Sequence, residues 1–260
     1  MLQHERLHRI QSLLHRLHRV STERIINDLK ISRETARRDI IELEHLGLCK
    51  RVHGGIIAND PVPIEAPLNI RTTQYAREKR AIAKLAVQQL QSGQTIFIDA
   101  GSTTSIFAEE LKTLSGITVI TNSFQVAINM ANEEGQTENQ IILLGGSVHS
   151  RPHTQGDFVI NEIQRYHVDF CVLSAVGVSP LHGATSFYIE EANIAKAMIK
   201  NSHQCILLAD PSKLNVVSRV QYAKPNEISM LITSSDANSP ASEEDFQSNF
   251  KQILFAWCDV

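Results

Sequence analysis

Two groups of residues in this 260-residue chain have types and spacings that suit the binding of anions. The first runs from Ser32 to Asp39 and contains three arginines within eight residues. Arginine can form two hydrogen bonds at once to a guanine edge or to a phosphate, so this group is typical of a nucleic-acid contact. The second group consists of Gly, Ser, Thr and Asp residues that follow short β-prone runs. Such residues, when they open a helix, typically cradle a phosphate.

The first group is predicted to lie on one helix, which Ser32 caps and Gly47 ends. At about 100° per residue its apolar residues form an inward stripe, which comprises Ala36, Ile40 and Leu43. The outward face then carries Glu34, Arg37, Arg38 and Ile41, with Arg33 and Thr35 at its flanks. We expect this face to enter the major groove of double-stranded DNA.

Two earlier helices are predicted to support that helix. A first helix over about residues 3–18 is indicated by an apolar stripe of Leu7, Ile10, Leu14 and Leu17. Ser21 is predicted to cap a second helix, in which Ile25 packs on Val20 as a hydrophobic staple. Only Lys30 and Ile31 lie between the second helix and the next cap, a tight connection that indicates a helix-turn-helix.

A short hairpin is predicted after the third helix. Residues 48–57 form two β-prone runs around Gly54 and Gly55, with cations on the first run. We interpret this hairpin as a wing that touches the DNA backbone. The predicted DNA-binding residues are therefore Ser32, Arg33, Thr35, Arg37, Arg38, Arg51 and His53.

From Glu78 onwards, short β-rich runs alternate with stretches of helical spacing, which predicts a mainly parallel sheet covered by helices. The predicted strands are residues 95–99, 117–121, 141–144, 168–175, 205–210 and 228–233, with a further candidate at 253–256. Such sheets bind ligands beyond the carboxyl ends of their strands, so the residues that follow each run are candidates. We predict one effector pocket from Asp99, Gly101, Ser102, Thr103, Thr104, Asn122, Gly145, Gly146 and Lys213.

The pocket residues suit a phosphate, but the sequence contains neither a P-loop nor a dinucleotide-binding glycine motif, which disfavours a nucleoside triphosphate. Simpler interpretations stay open for each group. The arginines could be ordinary solvated residues of a three-helix docking module, residues 101–104 a plain helix cap, and Lys213 a surface lysine. Glu191 and Lys196 favour a surface ion-pair neighbourhood over a ligand role. Arg151 could reach the ligand but is not among the predicted contacts. His153 and Glu190 are not among the predicted contacts either.

Charge and proline content predict where the chain divides. Residues 1–58 hold 11 Lys or Arg against 7 Asp or Glu, whereas residues 59–260 hold 14 against 21. An electropositive segment on an acidic body indicates a module that binds a polyanion. Residues 59–67 contain three prolines, which lack the backbone donor that helices and sheets need. We therefore predict a DNA-binding domain over 1–58, a linker over 59–77 and an α/β domain over 78–260.

Composition excludes several classes of protein. The apolar fraction of 42% and charged fraction of 20% are typical of a globular chain, and no uncharged stretch is apolar enough for a membrane span. No secretory signal pattern is visible, so the cytoplasm is the expected compartment. The four cysteines are far apart and indicate buried thiols. No metal site and no cofactor are predicted.

The N-terminal pattern resembles the winged helix-turn-helix of the deoxyribose-operon-repressor (DeoR) family of bacterial transcriptional regulators. The resemblance covers residues 6–57 and rests on Val20, Ser21, Ser32, Thr35, Arg37, Arg38, Asp39, Leu43, Glu44, Gly47, Arg51, His53, Gly54 and Gly55.

The second part of the chain resembles the effector domain of the same family. The matching positions are Glu65, Pro67, Arg71, Glu78, Lys79, Ile82, Ala83, Asp99 to Thr103, Thr121 to Ser123, Leu143 to Gly146, and Ala209 to Lys213. The resemblance implies a fold shared with ribose-5-phosphate isomerase, a phosphorylated sugar as effector, and repression of a carbohydrate or sugar-phosphate operon.

The sequence therefore predicts a non-enzymatic, sequence-specific DNA-binding regulator that acts as a homo-oligomer, a dimer or larger, since two reading helices give useful affinity for an operator. The alternative is a sugar-phosphate isomerase with a DNA-binding appendage, in which Asp99, Glu191 and Lys213 serve as acid and base groups. No nucleophile with a matched base is readable, which favours the regulator. The residues themselves do not indicate the effector's sugar, the operator or the sign of regulation, and repression is implied only by the resemblance.

Overall fold

The computed structural model describes residues 3, 6–7, 9–10, 13–14, 19–46, 48–58, 68–131, 138–149, 151–234 and 243–258. The chain divides into two compact units, Met1–Ile70 and Arg71–Val260. The predicted fold class is confirmed, since a winged helix-turn-helix is followed by an α/β domain with a mainly parallel sheet. Leu17, Gly47 and the prolines at 61, 63 and 67 lie outside the described residues. The domain boundaries after residues 58 and 77 stay predictions.

The first unit contains the three predicted helices. The described residues between 3 and 14 are helical and form α1, which precedes α2 (Thr22–Leu29) and α3 (Arg33–His45). Both predicted caps are present, because Ser21 Oγ accepts a hydrogen bond from the N–H of Arg24 and Ser32 Oγ accepts one from the N–H of Thr35, each at 3.1 Å. The apolar stripes meet in one buried cluster, formed by Ile10, Leu14, Val20, Ile25, Leu29, Ala36, Ile40, Leu43, Cys49 and Ile56. Each buried Leu or Ile contributes about 1.5–3 kcal/mol, which fixes the outward face of α3.

The wing has three strands, one more than the sequence predicted. The strands β2 (Cys49–Val52) and β3 (Gly55–Ala58) form the expected hairpin, and β1 (Arg19–Ser21) pairs antiparallel with β3. Gly54 adopts a φ of +81°, a turn conformation that favours glycine. A Cβ on Gly55 would overlap the backbone of Val20 in β1. The Gly-Gly pair therefore serves the turn at its first residue and the close approach of β1 at its second.

The second unit alternates strands and helices. In chain order its elements are α4 (Leu68–Thr73, which begins in the first unit), α5 (Ala76–Val87), β4 (Thr95–Ile98), α6 (Ser102–Leu111), β5 (Thr118–Thr121), α7 (Phe124–Met130), β6 (Gln140–Leu143), β7 (Ser147–Val148), β8 (Thr154–Gln155), α8 (Asp157–Ile163), β9 (Val168–Ser174), β10 (Gly177–Ser179), β11 (Gly183–Ser186), α9 (Ile189–Lys200), β12 (Ser202–Leu208), β13 (Val220–Ala223), β14 (Met230–Ser234), α10 (Glu243–Asn249) and β15 (Ile253–Ala256). All seven predicted strands are confirmed, with ends that differ by up to three residues.

Those seven strands form one parallel sheet in the order β15-β14-β12-β9-β4-β5-β6. Apolar side chains alternate between its two faces. Phe97, for example, belongs to the buried cluster with α8 and α9, whereas Ile96 and Ile98 belong to the cluster with α5 and α6. Because both faces are covered, the strands read as continuous apolar runs, which is why the sequence revealed them.

The sheet order places a switch point beside β4. The chain passes from β4 to β5 and β6 on one side, and β9, β12, β14 and β15 follow on the other. Ligands of open α/β sheets bind in the crevice at such a point, outside the carboxyl ends of the strands. The crevice here lies between the ends of β4 and β9.

Two smaller sheets were not predicted. The strands β10, β11 and β13 form an antiparallel sheet, and β7 pairs with β8 in a short ribbon. β7 follows shortly after β6, and β10 shortly after β9, so both sheets are built on chain that leaves the carboxyl side of the parallel sheet.

No helix among the described residues has the length and apolarity that a membrane span requires. The four cysteines are free thiols: Cys49, Cys171 and Cys205 are buried as predicted, and Cys258 is only half-buried.

Candidate functional sites

The outward face of α3 is exposed as predicted. Arg33, Arg37 and Arg38 are all exposed, and Arg38 lies 3.5 Å from Glu34 in an ion pair that leaves both side chains largely in solvent. Surface pairs of this kind contribute little to stability. Breaking this pair to bind DNA would therefore require little free energy.

One charged residue of α3 faces inward, which the sequence prediction did not recognise. Asp39 is 1% exposed and accepts hydrogen bonds from Arg6 Nε at 2.6 Å and Arg6 Nη2 at 3.0 Å. This two-point ion pair joins α1 to α3. The helical spacing could have indicated this inward position, because Asp39 lies three residues after Ala36 and directly before Ile40. Ala36 and Ile40 both belong to the inward stripe.

Arg51 of the wing has a structural partner. Its backbone N–H donates to Glu44 Oε1 at 3.0 Å, and its guanidinium forms an ion pair with the same carboxylate. These contacts hold the pKa of Glu44 below its usual value. Arg51 therefore joins the wing to α3 and is still half-exposed, while His53 lies exposed at the hairpin turn.

Asp99 and Ser174 meet where β4 and β9 end. The N–H of Ser174 donates to Asp99 Oδ2 at 2.9 Å, and Ser174 Oγ lies 3.2 Å from the same oxygen. Burial raises the pKa of Asp99 to about 7 although these hydrogen bonds oppose the shift, and the carboxylate of Glu191 adds to the increase. A Cβ on Gly101 would overlap Ser174 Oγ. Gly101 has an ordinary φ of −119°, so close packing on Ser174, not turn strain, requires glycine there.

The N-terminus of α6 follows Gly101 directly. The first backbone N–H bonded in the helical pattern is that of Ser105, which reaches Gly101 O at 3.0 Å. The N–H groups of residues 102–104 precede it and, at a helix start, favour an anion. The Thr104 hydroxyl accepts from the N–H of Gly101 at 2.9 Å, so it acts as a cap, whereas Ser102 and Thr103 open the helix. All three of these side chains are buried.

A buried lysine stands behind this helix start, and the sequence prediction missed it. Lys79 is 2% exposed, and its Nζ lies 2.5 Å from Arg71 O, 3.2 Å from Ser102 Oγ and 3.6 Å from Asp210 Oδ2. Burial lowers the pKa of Lys79, and the charge of Asp210 opposes that effect. Lys79 lies one turn before Ala83 and therefore on the inward face of α5, which was the available signal.

Lys213 lies in a 3₁₀ turn, Pro211–Lys213, that Asp210 caps through the N–H of Ser212 at 3.0 Å. The charge of Lys213 acts on Lys79, which lowers the pKa of Lys79 further. Lys79 therefore contacts the start of α6 through Ser102 and is within electrostatic range of Lys213.

Asn122 follows β5, and Gly145 and Gly146 follow β6. Asn122 is buried, and its Nδ2 donates to Thr154 O at 2.8 Å. A Cβ on Gly146 would overlap Val159 and Gln155, so packing requires that glycine. β6 is separated from β4 by β5, which places the two glycines farther from the crevice than Asn122. Their role as effector contacts stays a prediction.

A second polar cluster lies at the start of α9. Arg151 forms an ion pair with Glu191, and its guanidinium carbon lies 3.5 Å from the centre of the Tyr188 ring. Ser186 Oγ lies 3.2 Å from Glu191 Oε2. The partner of Glu191 is thus Arg151, and Lys196, which the sequence had grouped with it, is exposed. His153 is buried nearby, and burial with the charge of Arg151 lowers its pKa to about 4.

Two family models match the chain. Residues 6–62 match the DeoR-like helix-turn-helix domain, and residues 74–235 match the DeoR C-terminal sensor domain. This chain belongs to the DeoR family. It is a DNA-binding transcriptional regulator with a C-terminal sensor domain, as the sequence predicted.

Relatives of this DeoR-family regulator are also transcriptional regulators. The repressor GlcR of Bacillus subtilis is 36% identical over 90% of this chain and 89% of that protein. The glycerol-3-phosphate regulon repressor of Escherichia coli is 30% identical over 86% of each chain. Among solved structures, ribose-5-phosphate isomerase A of Methanocaldococcus jannaschii covers 58% of this chain and 59% of its own, with a TM-score of 0.40 and 21% identity.

Proposed function

We propose that this regulator represses a carbohydrate or sugar-phosphate operon and that a phosphorylated sugar or polyol, bound in the crevice between β4 and β9, changes its affinity for operator DNA. The supporting observation is that Lys79 contacts Ser102 at the start of α6, directly after β4 at the sheet's switch point, and that the charge of Lys213 acts on Lys79. Two relatives are named as repressors, one of them of a glycerol-3-phosphate regulon, which agrees with this proposal.

The phosphate end of the ligand is assigned to the start of α6. Backbone N–H groups there point along the helix axis, and the helix dipole favours a negative charge. Lys213 supplies a charged donor from the neighbouring turn. Such charge-assisted hydrogen bonds are about twice as strong as neutral ones. Gly101 allows Ser174 to pack against the helix start, where a Cβ would overlap Ser174 Oγ.

We assign base reading to Arg37 and Arg38 of α3. The other predicted DNA contacts of this helix are Ser32, Arg33 and Thr35 at its start. Arg51 and His53 then contact phosphates from the wing. A half-site read by one helix is short, so we propose that the regulator binds as a dimer or larger oligomer.

Calorimetry tests the pocket. Wild type should bind glycerol 3-phosphate or a hexose 6-phosphate and fail to bind the corresponding unphosphorylated compound. Lys213→Ala should weaken binding by about 10-fold or more, because a charge-assisted hydrogen bond contributes about 1.5–3 kcal/mol. Lys224→Ala, a surface change in the same unit, is the matched control. If no phosphorylated compound binds, or if Lys213→Ala binds like wild type, the pocket is misplaced.

We propose a sensor and not an isomerase. Asp99 is held by Ser174, and Glu191 is held by Arg151 and Ser186, so both carboxylates already have fixed partners. Purified protein incubated with aldose and ketose phosphates should leave their ratio unchanged. Conversion that Asp99→Asn abolishes would favour the enzyme instead.

A further inference from the structure

Six buried side-chain atoms have no hydrogen-bond partner among the described residues, and two of them lie at the carboxyl end of β5 and in the segment that pairs with it. These two atoms are Oδ1 of Asn122 and Nε2 of His153, whose residues are 3% and 4% exposed. Buried polar atoms in folded proteins are nearly always hydrogen-bonded, because leaving one unpaired costs about 1–3 kcal/mol. Two unpaired atoms in neighbouring segments indicate a site at which a ligand supplies the missing hydrogen bonds.

The backbone holds these two side chains side by side. His153 forms a β-bridge with Ser123, the residue after Asn122. The N–H of Thr154 donates to Asn122 O at 2.9 Å, and Asn122 Nδ2 donates back to Thr154 O at 2.8 Å. The segment around His153 is therefore fixed against the carboxyl end of β5.

Glu191 lies on the other side of His153. Its Oε1 is 3.9 Å from His153 Nε2, which is too long for a direct hydrogen bond. A hydroxyl oxygen about 2.8 Å from each atom would bridge them with two good hydrogen bonds. Arg151 and Ser186 hold the carboxylate of Glu191 in place, so no side chain has to be ordered when the ligand binds.

Asn122, His153 and Glu191 together offer both hydrogen-bond donors and hydrogen-bond acceptors. Glu191 and Asn122 Oδ1 accept, and His153, with its pKa lowered to about 4, is neutral at pH 7 and carries one donor and one acceptor nitrogen. Hydroxyl groups donate and accept at the same time, so they match this mixture. An alkyl chain would leave these atoms unpaired.

We infer that Asn122, His153 and Glu191 form a hydroxyl-reading subsite of the effector crevice and that they select a phosphorylated polyhydroxy chain over an alkyl phosphate of the same length. This inference rests on the proposed phosphate site at α6. Adjacent strands are about 4.8 Å apart, so the ends of β9 and β5, on either side of β4, lie about 10 Å apart. A phosphate followed by a chain of up to about six carbons would span that distance.

The test compares two matched pairs of ligands by calorimetry on the full-length protein. The pairs are glycerol 3-phosphate against n-propyl phosphate, and sorbitol 6-phosphate against n-hexyl phosphate. Wild type should bind the polyol of at least one pair 10-fold or more tightly than its alkyl partner. Glu191→Gln and His153→Gln should each reduce that ratio to about 3 or less. Both should leave the affinity for inorganic phosphate within about 2-fold.

Two controls separate this inference from the proposed phosphate site. Glu190→Gln removes the exposed neighbouring carboxylate and should keep the wild-type ratio. Lys213→Ala should weaken both members of a pair equally. If phosphorylated compounds bind and depend on Lys213, but both subsite variants keep the wild-type ratio, the subsite is wrong and the phosphate site stands. If wild type binds neither inorganic phosphate nor any of the four ligands, both fail. Circular dichroism shows whether each variant is folded, and if one variant does not fold, the ratio measured with the other decides the outcome.

Discussion

Arg37 and Arg38 are exposed on the face of α3 that the buried stripe of Ala36, Ile40 and Leu43 leaves outward. Changing either arginine to alanine should weaken specific operator binding by roughly 1–3 kcal/mol if that side chain contacts a base. The measurement is fluorescence anisotropy with an operator that the wild-type protein selects from random duplexes. Arg165→Ala, an exposed change in the second unit, should leave operator affinity unchanged. Wild-type affinity in both α3 variants would contradict the assignment.

The raised pKa of Asp99 predicts a dependence of stability on pH. Its ordinary value is 3.8 and its value in the fold is about 7, so between these pH values the folded chain binds one proton more than the unfolded chain. Stability from this group is therefore highest at low pH and falls as pH rises to about 7, by at most about 1.4 kcal/mol per pH unit.

Asp99→Asn should remove that fall. Urea unfolding between pH 5 and pH 8 should show the free energy of unfolding of wild type falling relative to that of Asp99→Asn. Asp157→Asn, which removes an exposed carboxylate, should keep the wild-type slope. A constant difference between wild type and Asp99→Asn across this range would show that Asp99 is ionised throughout.

For individual residues, the sequence predicted local roles such as helix caps better than it predicted distant interaction partners. Ser21 and Ser32 were identified as caps because capping needs only local chain. Asp39 and Lys79 were missed as buried charges, since their partners Arg6 and Asp210 are 33 and 131 residues away. Helical spacing indicates that both side chains face inward, but it does not identify the distant partner that allows the charge to be buried.

Lys79 joins α5 to the start of α6 and to the cap of the 3₁₀ turn. Lys79→Met should destabilise the second unit by about 3–5 kcal/mol, because it leaves the carboxylate of Asp210 buried without its cation. The free energy of unfolding in urea measures this. Lys84→Met, on the exposed face of the same helix, should change it by less than about 0.5 kcal/mol. Equal stability of the two variants would mean that the buried pair contributes nothing.

Secondary-structure elements, like single residues, were predicted where local sequence determines them and missed where distant contacts do. The strands of the parallel sheet were predicted because each contains a run of apolar residues, which is mostly buried except in β6 and β15 at the two edges. The strand β1 has only three residues, and β7 and β8 have two each, which is too short for a periodic pattern. Pairing of β11 with β13 depends on a contact across α9 and β12. The strands β1, β7, β8, β11 and β13 depend on tertiary contacts, and the local sequence therefore does not predict them.

The whole molecule is predicted to act as a dimer or larger oligomer through its α/β unit. That unit exposes large apolar side chains, among them Phe158, Leu181 and Trp257, which are 75%, 79% and 79% exposed. Light scattering at micromolar concentration should give at least twice the mass of the 29.0 kDa chain. A monomer, both alone and with operator, would contradict this prediction.

A phosphorylated ligand in the crevice is proposed to control the DNA-reading helix, so operator affinity should differ between the free and the ligand-bound regulator. Coupling of about 1–3 kcal/mol predicts a change of roughly 5- to 150-fold in wild type when the tightest-binding polyol phosphate is added. Lys213→Ala should bind operator like wild type in the absence of ligand, and it should require about 10-fold more ligand for the same change. Control of DNA binding by this pocket is contradicted if saturating ligand leaves wild-type operator affinity unchanged, or if Lys213→Ala responds at the same ligand concentration as wild type.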